Sequence, residues 1–502
     1  MILEKATLYF FQSRLQCIKT FSRQPGEVQD QQLMYLLKTA RQTEWGLKYD
    51  YASIRSYADF ASRVPTQDYD DAKVHIRRMM QGEGNILWPE KIGWFARSSG
   101  TTGDKSKYIP VSPAGLNECH YRGGLDTVVT YLDNTPGSKL FDGKGLILGG
   151  SHKPAAHNQQ VKTGDLSAIL IENIHPIANL VRTPSKKIIL MDEWESKLDA
   201  ICEKTYRENV TNLSGVPSWF LVLIKKMLEK TGKKSLLEVW PNLEAFFHGG
   251  VSFTPYKQQY RELIPSSQMT YMETYNASEG FFALQNDFND PALLLMLDYG
   301  VFYEFIPVEG LESDHPRTLS IEEVELNRNY AMLISSSNGL WRYKIGDTVQ
   351  FTSKYPHKIR VTGRTRNYIN AFGEELMVGN ADMAIQKACE TTGAKVAEYT
   401  AAPVYMSNEM KGRHQWLIEF EKAPADTELF ARTLDAALKE LNSDYEAKRY
   451  KDMTLEMPEI TVARNRLFHD WLKEKGKLGG QHKVPRLNNT RDIMEEILPL
   501  NQ

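Results

Sequence analysis

The chain has 502 residues, 41% of them apolar and 25% charged, an ordinary globular balance with room for two to four domains and a sizeable core. A formal net charge of −2 argues against nucleic acid or an anionic membrane as the main partner. The longest apolar runs, such as 219–224 and 292–297, are far too short to span a bilayer.

The chain begins MILEKATLYFFQSRLQCIKTF, which mixes charges into an apolar face and has no small-residue cleavage site. It predicts an amphipathic helix packed on the domain and not a signal peptide. Helical spacing continues to about residue 90, with Pro25-Gly26 separating the first two helices. From Ile92 to about Val361, β-type runs (GLILGG at 145–150, KIILMDEW at 187–194) alternate with helices such as PSWFLVLIKKMLEKTG at 217–232. This alternation predicts an α/β core with substantial parallel sheet. Near 360–366 the pattern changes. A helix over 379–391 is followed by the strands VAEYTAAPVY and HQWLIEFE, a long charged helix over 425–449, PEITVARNRLF, and a Gly- and Lys-rich tail. The expected organisation is a large N-terminal α/β domain over 1–362 and a smaller α+β domain over 363–502. Cys17, Cys119, Cys202 and Cys389 have no paired spacing, which predicts reduced thiols in a cytoplasmic protein, with no zinc ribbon or disulfide framework.

The segment WFARSSGTTGDKSKYIPVS at 94–112 is rich in hydroxyls, Gly and Lys. It is not a P-loop. Two residues separate Gly100 from Gly103 where a P-loop has four, and Asp104 intrudes before Lys105. Pro110 disfavours helix at Ile109, so Lys107–Val111 is expected to be a strand, with Ser112 and Pro113 at N-cap and N1 of a later helix. The expectation is therefore strand, flexible loop, strand, with hydroxyls, N–H groups and lysines available to grip a triphosphate. The run IILMDE at 188–193 resembles a strand ending in a magnesium-binding acid pair, but is better explained as a core strand leading into a helix.

The segment SSGTTGDKSKYIPVS resembles the first nucleotide motif of the Gretchen Hagen family of acyl acid amido synthetases, adenylate-forming enzymes. VPTQDYDD at 64–71, GEGNILWP at 82–89, YNASE at 275–279, WRYKIGD at 341–347 and QHKVPR at 481–486 resemble further family segments, in order along nearly the whole chain. One departure is Ala277, where the plant pattern has serine. The resemblance implies ATP and Mg²⁺ as cofactors, a small carboxylic acid and an amino acid as substrates, and a mobile C-terminal domain. Ser98, Ser99, Gly100, Thr101, Thr102 and Lys107 would hold phosphates, and Glu279 would bind Mg²⁺. Tyr275, Asn276 and Ser278 would lie at the nucleotide, Asp347 would accept the ribose hydroxyls, Arg364 would sit at the hinge, and Lys483 would reach the α-phosphate. Val216, Trp219, His248, Gly249 and Phe281 would line the acyl pocket. Outside the resemblance, Glu279 reads as a helix-start carboxylate and Asp347 as a turn residue at a strand end. Transfer of the acyl group to a thiol such as coenzyme A, or a nucleotide-binding protein making no acyl product, are the competing readings.

Overall fold

The computed structural model describes residues 2–99, 106–155, 158–311, 313, 316–365, 368–406, 411–452, 454–475 and 484–501. The N-terminal segment is helical as expected, with Ile2–Phe21, Pro25–Ala40, Tyr57–Arg63 and Tyr69–Met80 as its longer helices. Pro25 opens the second helix, where its missing N–H costs nothing. Asp68 closes a capping box at the start of Tyr69–Met80, satisfying N–H groups the helix itself leaves unpaired.

Trp94–Ser99 and Ser106–Val111 pair antiparallel, so the hydroxyl-rich segment joins two strands. Trp94–Ser99 also pairs parallel with Asn158–Gly164 in a four-stranded sheet. After the second strand, Ser112 Oγ accepts from the Gly115 N–H at 2.8 Å, and Pro113 opens the next helical segment.

The main sheet has eleven strands and two characters. Arg182–Thr183, Lys144–Ile147, Val210–Gly215, Ala245–His248 and Thr270–Ala277 run parallel to their neighbours. From Thr270–Ala277 onward, Gly280–Leu284, Leu293–Leu295, His357–Arg364, Tyr343–Lys354, Asn329–Ser336 and Val301–Pro307 are antiparallel. Pro217–Thr231 covers the parallel half, with Phe220, Leu221, Leu223 and Ile224 buried.

The C-terminal part carries Val378–Thr392, Thr427–Leu441 and a three-stranded sheet of Lys395–Val404, Arg413–Lys422 and Glu459–Ala463. Its core is continuous with that of the parallel half, because Phe372, Trp416 and Tyr445 share one apolar cluster with Phe220 and Phe246. Polar ties reinforce the junction: Ser218 Oγ donates to the Phe372 carbonyl at 3.2 Å, and the Tyr256 hydroxyl donates to the Ala371 carbonyl.

Three expectations need correction. The 187–194 run is not a strand: Lys186–Ile189 is a short helix, and Glu193 caps the helix Trp194–Thr205 by accepting from the Glu195 and Ser196 N–H groups. The charged helix at 425–449 is two helices, broken where Asn442 leaves helical dihedrals and accepts from the Asp444 and Tyr445 N–H groups. Asp347 is not at a strand end. It lies inside Tyr343–Lys354, at a bulge where Ala331 pairs with Thr348 but Leu333 with Lys344. Gly346 makes the bulge possible with φ of +91°, a conformation other residues rarely adopt.

Candidate active site

Motifs far apart in sequence are bonded together. Gln67 donates its N–H to the Arg342 carbonyl at 3.0 Å, and its side chain donates to the Trp341 carbonyl at 3.0 Å. The Trp341 indole donates to the Leu87 carbonyl at 3.0 Å, and the Tyr69 hydroxyl accepts from the Tyr108 N–H at 2.9 Å. The segments at 64–71 and 82–89 therefore brace the strands at 106–111 and 343–354.

On this frame a chain of polar contacts links five side chains. Tyr275 donates its hydroxyl to Asp347 Oδ2 at 2.6 Å, and Arg364 Nε donates to Asp347 Oδ1 at 2.7 Å. Arg364 Nη2 reaches Glu375 Oε1 at 3.3 Å, and Ser98 Oγ donates to Glu375 Oε2 at 3.1 Å. Asp347 and Arg364 face each other because they are direct partners across the antiparallel pair. Glu375 holds a φ of +38°, uncommon for a residue with a Cβ.

Glu279 stands in the tight turn between Thr270–Ala277 and Gly280–Leu284, not at a helix start. The side chain is buried. Burial pushes its carboxyl up to about 7, while Lys107 opposes the shift and Glu375 adds to it. A buried carboxylate whose neighbours include Lys107 and Arg364 suits a site where cation and phosphate charges meet. Among the described residues no cluster of three His, Cys, Asp or Glu could by itself hold a metal. One carboxylate plus phosphate oxygens is nevertheless an ordinary Mg²⁺ environment, so Glu279 fits that ion.

A cavity of about 670 Å³ opens beside these groups. Gly150, Val216, Gly250 and Ser278 line it from just past the carboxyl ends of four parallel strands, the edge of an α/β sheet where ligands usually bind. Ser98 and Trp219 also line it, and Glu375 and Lys448 line it from the C-terminal part.

The structure thus gathers Ser98, Val216, Trp219 and Ser278 at the cavity, with Tyr275, Glu279, Asp347, Arg364 and Lys107 nearby. Three residues expected in the acyl pocket are elsewhere. Phe281 packs against Tyr299 and under Gly123 in the N-terminal core. Gly249 lies against the Thr274 carbonyl and the Asn276 side chain. His248 points into the core beneath the sheet, stacked on Phe253 with ring centroids 4.3 Å apart. Gly100, Thr101, Thr102 and Lys483 lie outside the described residues; Ser99 ends the first strand of the loop pair. Sequence reasoning missed Glu375 and Lys448. Glu375 had no motif around it, and Lys448 looked like one more surface charge on a charged helix.

Burial drives the His248 imidazole down to about 3 from an ordinary 6.5. The unfolded chain takes a proton here below about pH 6.5 and the folded chain refuses it until about pH 3, so stability falls as the pH drops through that window. The loss approaches ~1.4 kcal/mol per pH unit well inside it. His248→Phe is expected to flatten the stability profile between pH 6 and pH 4.5 by about 2 kcal/mol. Equal slopes for the two proteins in urea titrations at those pH values would refute this.

A large α/β part with a smaller part packed over the ends of its parallel strands is an architecture shared with solved ligase structures. The acyl acid amido synthetase GH3.15 in complex with 2,4-DB superposes with a TM-score of 0.62 at 18% identity, covering 97% of this chain and 95% of that one. A 2-hydroxyisobutyryl-CoA ligase superposes at 0.59 with 12% identity, covering 94% and 91%. The chain belongs to the GH3 family: it matches the GH3 family N-terminal domain over 14–269, the central domain over 294–364 and the C-terminal domain over 379–492. It is similar to the indole-3-acetic acid-amido synthetase GH3.4 of Arabidopsis thaliana, 24% identical over 96% of this chain and 92% of the relative. It is also similar to the 4-substituted benzoates-glutamate ligase GH3.12 of that plant, 23% identical over 85% and 87%. Among the described residues no helix is long and apolar enough to cross a membrane.

Proposed function

We propose that this chain is an ATP-dependent ligase that adenylates a small carboxylic acid, releasing pyrophosphate, and passes the acyl group to the amine of an amino acid. The observation that carries the reading is the polar chain from Tyr275 through Asp347, Arg364 and Glu375 to Ser98, whose last two members line one cavity, in a chain of the GH3 family. A free carboxylate repels nucleophiles and has no good leaving group; esterified to AMP it has one. The protein's part is to hold the triphosphate, orient the acid and exclude water.

The loop between the 94–99 and 106–111 strands, with Ser98, Ser99, Gly100, Thr101, Thr102 and Lys107, grips the phosphates. Glu279 holds Mg²⁺, whose charge offsets that of the phosphate oxygens. Asp347 accepts the ribose hydroxyls, with Tyr275, Asn276 and Ser278 on the adenine side. Val216 and Trp219 wall the acyl group. We assign 1–362 and 363–502 to two domains that rotate about Arg364, bringing Lys483 to the α-phosphate for adenylation. Four cysteines without disulfide bonds suit a reducing cytoplasm.

Pyrophosphate exchange into ATP that depends on an added carboxylic acid tests the first half-reaction. Supplying amino acids or coenzyme A then tests the second. Exchange without any acid requirement would overturn the reading, and a thioester in place of an amide would replace it with an acyl-CoA ligase. Asp347→Ala is expected to weaken ATP binding by about tenfold, the cost of losing a charge-assisted hydrogen bond. An unchanged ATP affinity in calorimetry would remove the ribose assignment.

A further inference from the structure

Lys448 lies on Ser443–Arg449, a helix of the C-terminal part, and lines the cavity at 8% exposure. Among the described residues its ammonium has no hydrogen-bond or ion-pair partner. It rests over the Trp219 ring, 4.2 Å from the centroid. A Cβ placed on Gly373 would lie 3.1 Å from Lys448 Cε, 3.7 Å from Lys448 Nζ and 3.9 Å from Trp219 Nε1, so the end of the lysine and the indole nitrogen meet over bare backbone. Gly373 has φ of +91°, which keeps that position without a side chain. A second cation, Arg97, stands near enough to disfavour the lysine's charge. Its Nη2 reaches Asp165 at 3.5 Å, and its Nε is buried with no hydrogen-bond partner among the described residues.

A buried ammonium beside an indole N–H suits an anion. We propose that Lys448, with the Trp219 N–H beside it, receives the α-carboxylate of the amino acid acceptor. This rests on the amido synthetase reading above. The acyl acid brings a single carboxylate, and adenylation turns it into a mixed anhydride; the acceptor amino acid brings another. The acyl walls Val216 and Trp219 belong to the N-terminal part, whereas Lys448 is carried into the cavity by the C-terminal part and meets whatever enters between them. Burial lowers the lysine's proton affinity, with Asp444 acting against the shift, so a bound carboxylate would secure its charge.

The test compares an amino acid with its carboxamide, which keeps the amine and side chain but lacks the negative charge. In the wild type, kcat/KM for conjugation is expected to favour the amino acid by about 30-fold. Lys448→Met is expected to erase that preference by raising KM for the amino acid, with the carboxamide little affected, and Lys448→Arg to restore part of it. A wild type that uses both acceptors equally overturns the assignment without recourse to any variant. So does a Lys448→Met protein that keeps the preference or loses both acceptors in equal measure, the latter marking a structural role. Acid-dependent exchange with no conjugate to any amine would instead overturn the amido synthetase reading and this inference with it.

Discussion

Replacing Arg342 with methionine is expected to lower the stability of the protein by about 3–5 kcal/mol. Its guanidinium is buried at the centre of a network that spans the N-terminal half. Nε donates to both oxygens of Glu304 at 3.0 Å, and Nη2 donates to Glu304 Oε1 at 2.8 Å and Thr318 Oγ1 at 2.7 Å. Nη1 donates to the carbonyls of Ala61 and Val64 at 2.8 and 2.6 Å. Glu304 is fully buried, so removing the arginine leaves its carboxylate in the core with only the Tyr57 hydroxyl, at 3.2 Å, as a side-chain donor among the described residues. Adding Glu304→Leu to Arg342→Met is expected to recover a large part of the loss, because the stranded charge goes with it. Denaturant titration measures both; a loss below about 1 kcal/mol in the single variant would contradict the buried-pair account.

Glu279→Gln is expected to raise the Mg²⁺ concentration needed for half-maximal acid-dependent exchange by about 10- to 100-fold. The amide keeps the shape and one oxygen but loses the negative charge that draws in a hard cation. Burial already disfavours the Glu279 charge, so the neutral isostere should fold as well as the wild type. Loss of metal affinity is thereby separated from loss of structure. An identical Mg²⁺ dependence in the two proteins would remove Glu279 from the metal site.

The strands at 94–99 and 106–111 could be read in the sequence because their signals are local. Pro110 and the positions of Gly100 and Gly103 decided strand over P-loop, and Ser112 fixed where the next helical segment starts. The acyl pocket was not legible. Whether His248 faces the cavity or the core depends on how its strand packs, and the family resemblance that placed Phe281 in the pocket does not say which way its ring turns. The 187–194 run failed for a related reason. Four apolar residues in succession suit a strand or a buried helical turn equally, and here tertiary packing chose the helix. Arg342 shows the converse: it sits in the family-like segment 341–347, yet its side chain holds the N-terminal helices to the sheet that carries Asp347.

The strands at 94–99 and 106–111, the α/β class and the order of the motifs can be read along the chain. Each rests on residues close together in the chain, where proline geometry, capping and periodicity act directly. Only the tertiary structure decided which side chains meet. Asp347 is turned towards Tyr275 and Arg364 by a bulge at Gly346, and Lys448 is carried into the cavity by a helix more than two hundred residues beyond Trp219. Those meetings depend on sheet order and on how one domain packs over another, which no local rule of the chain encodes.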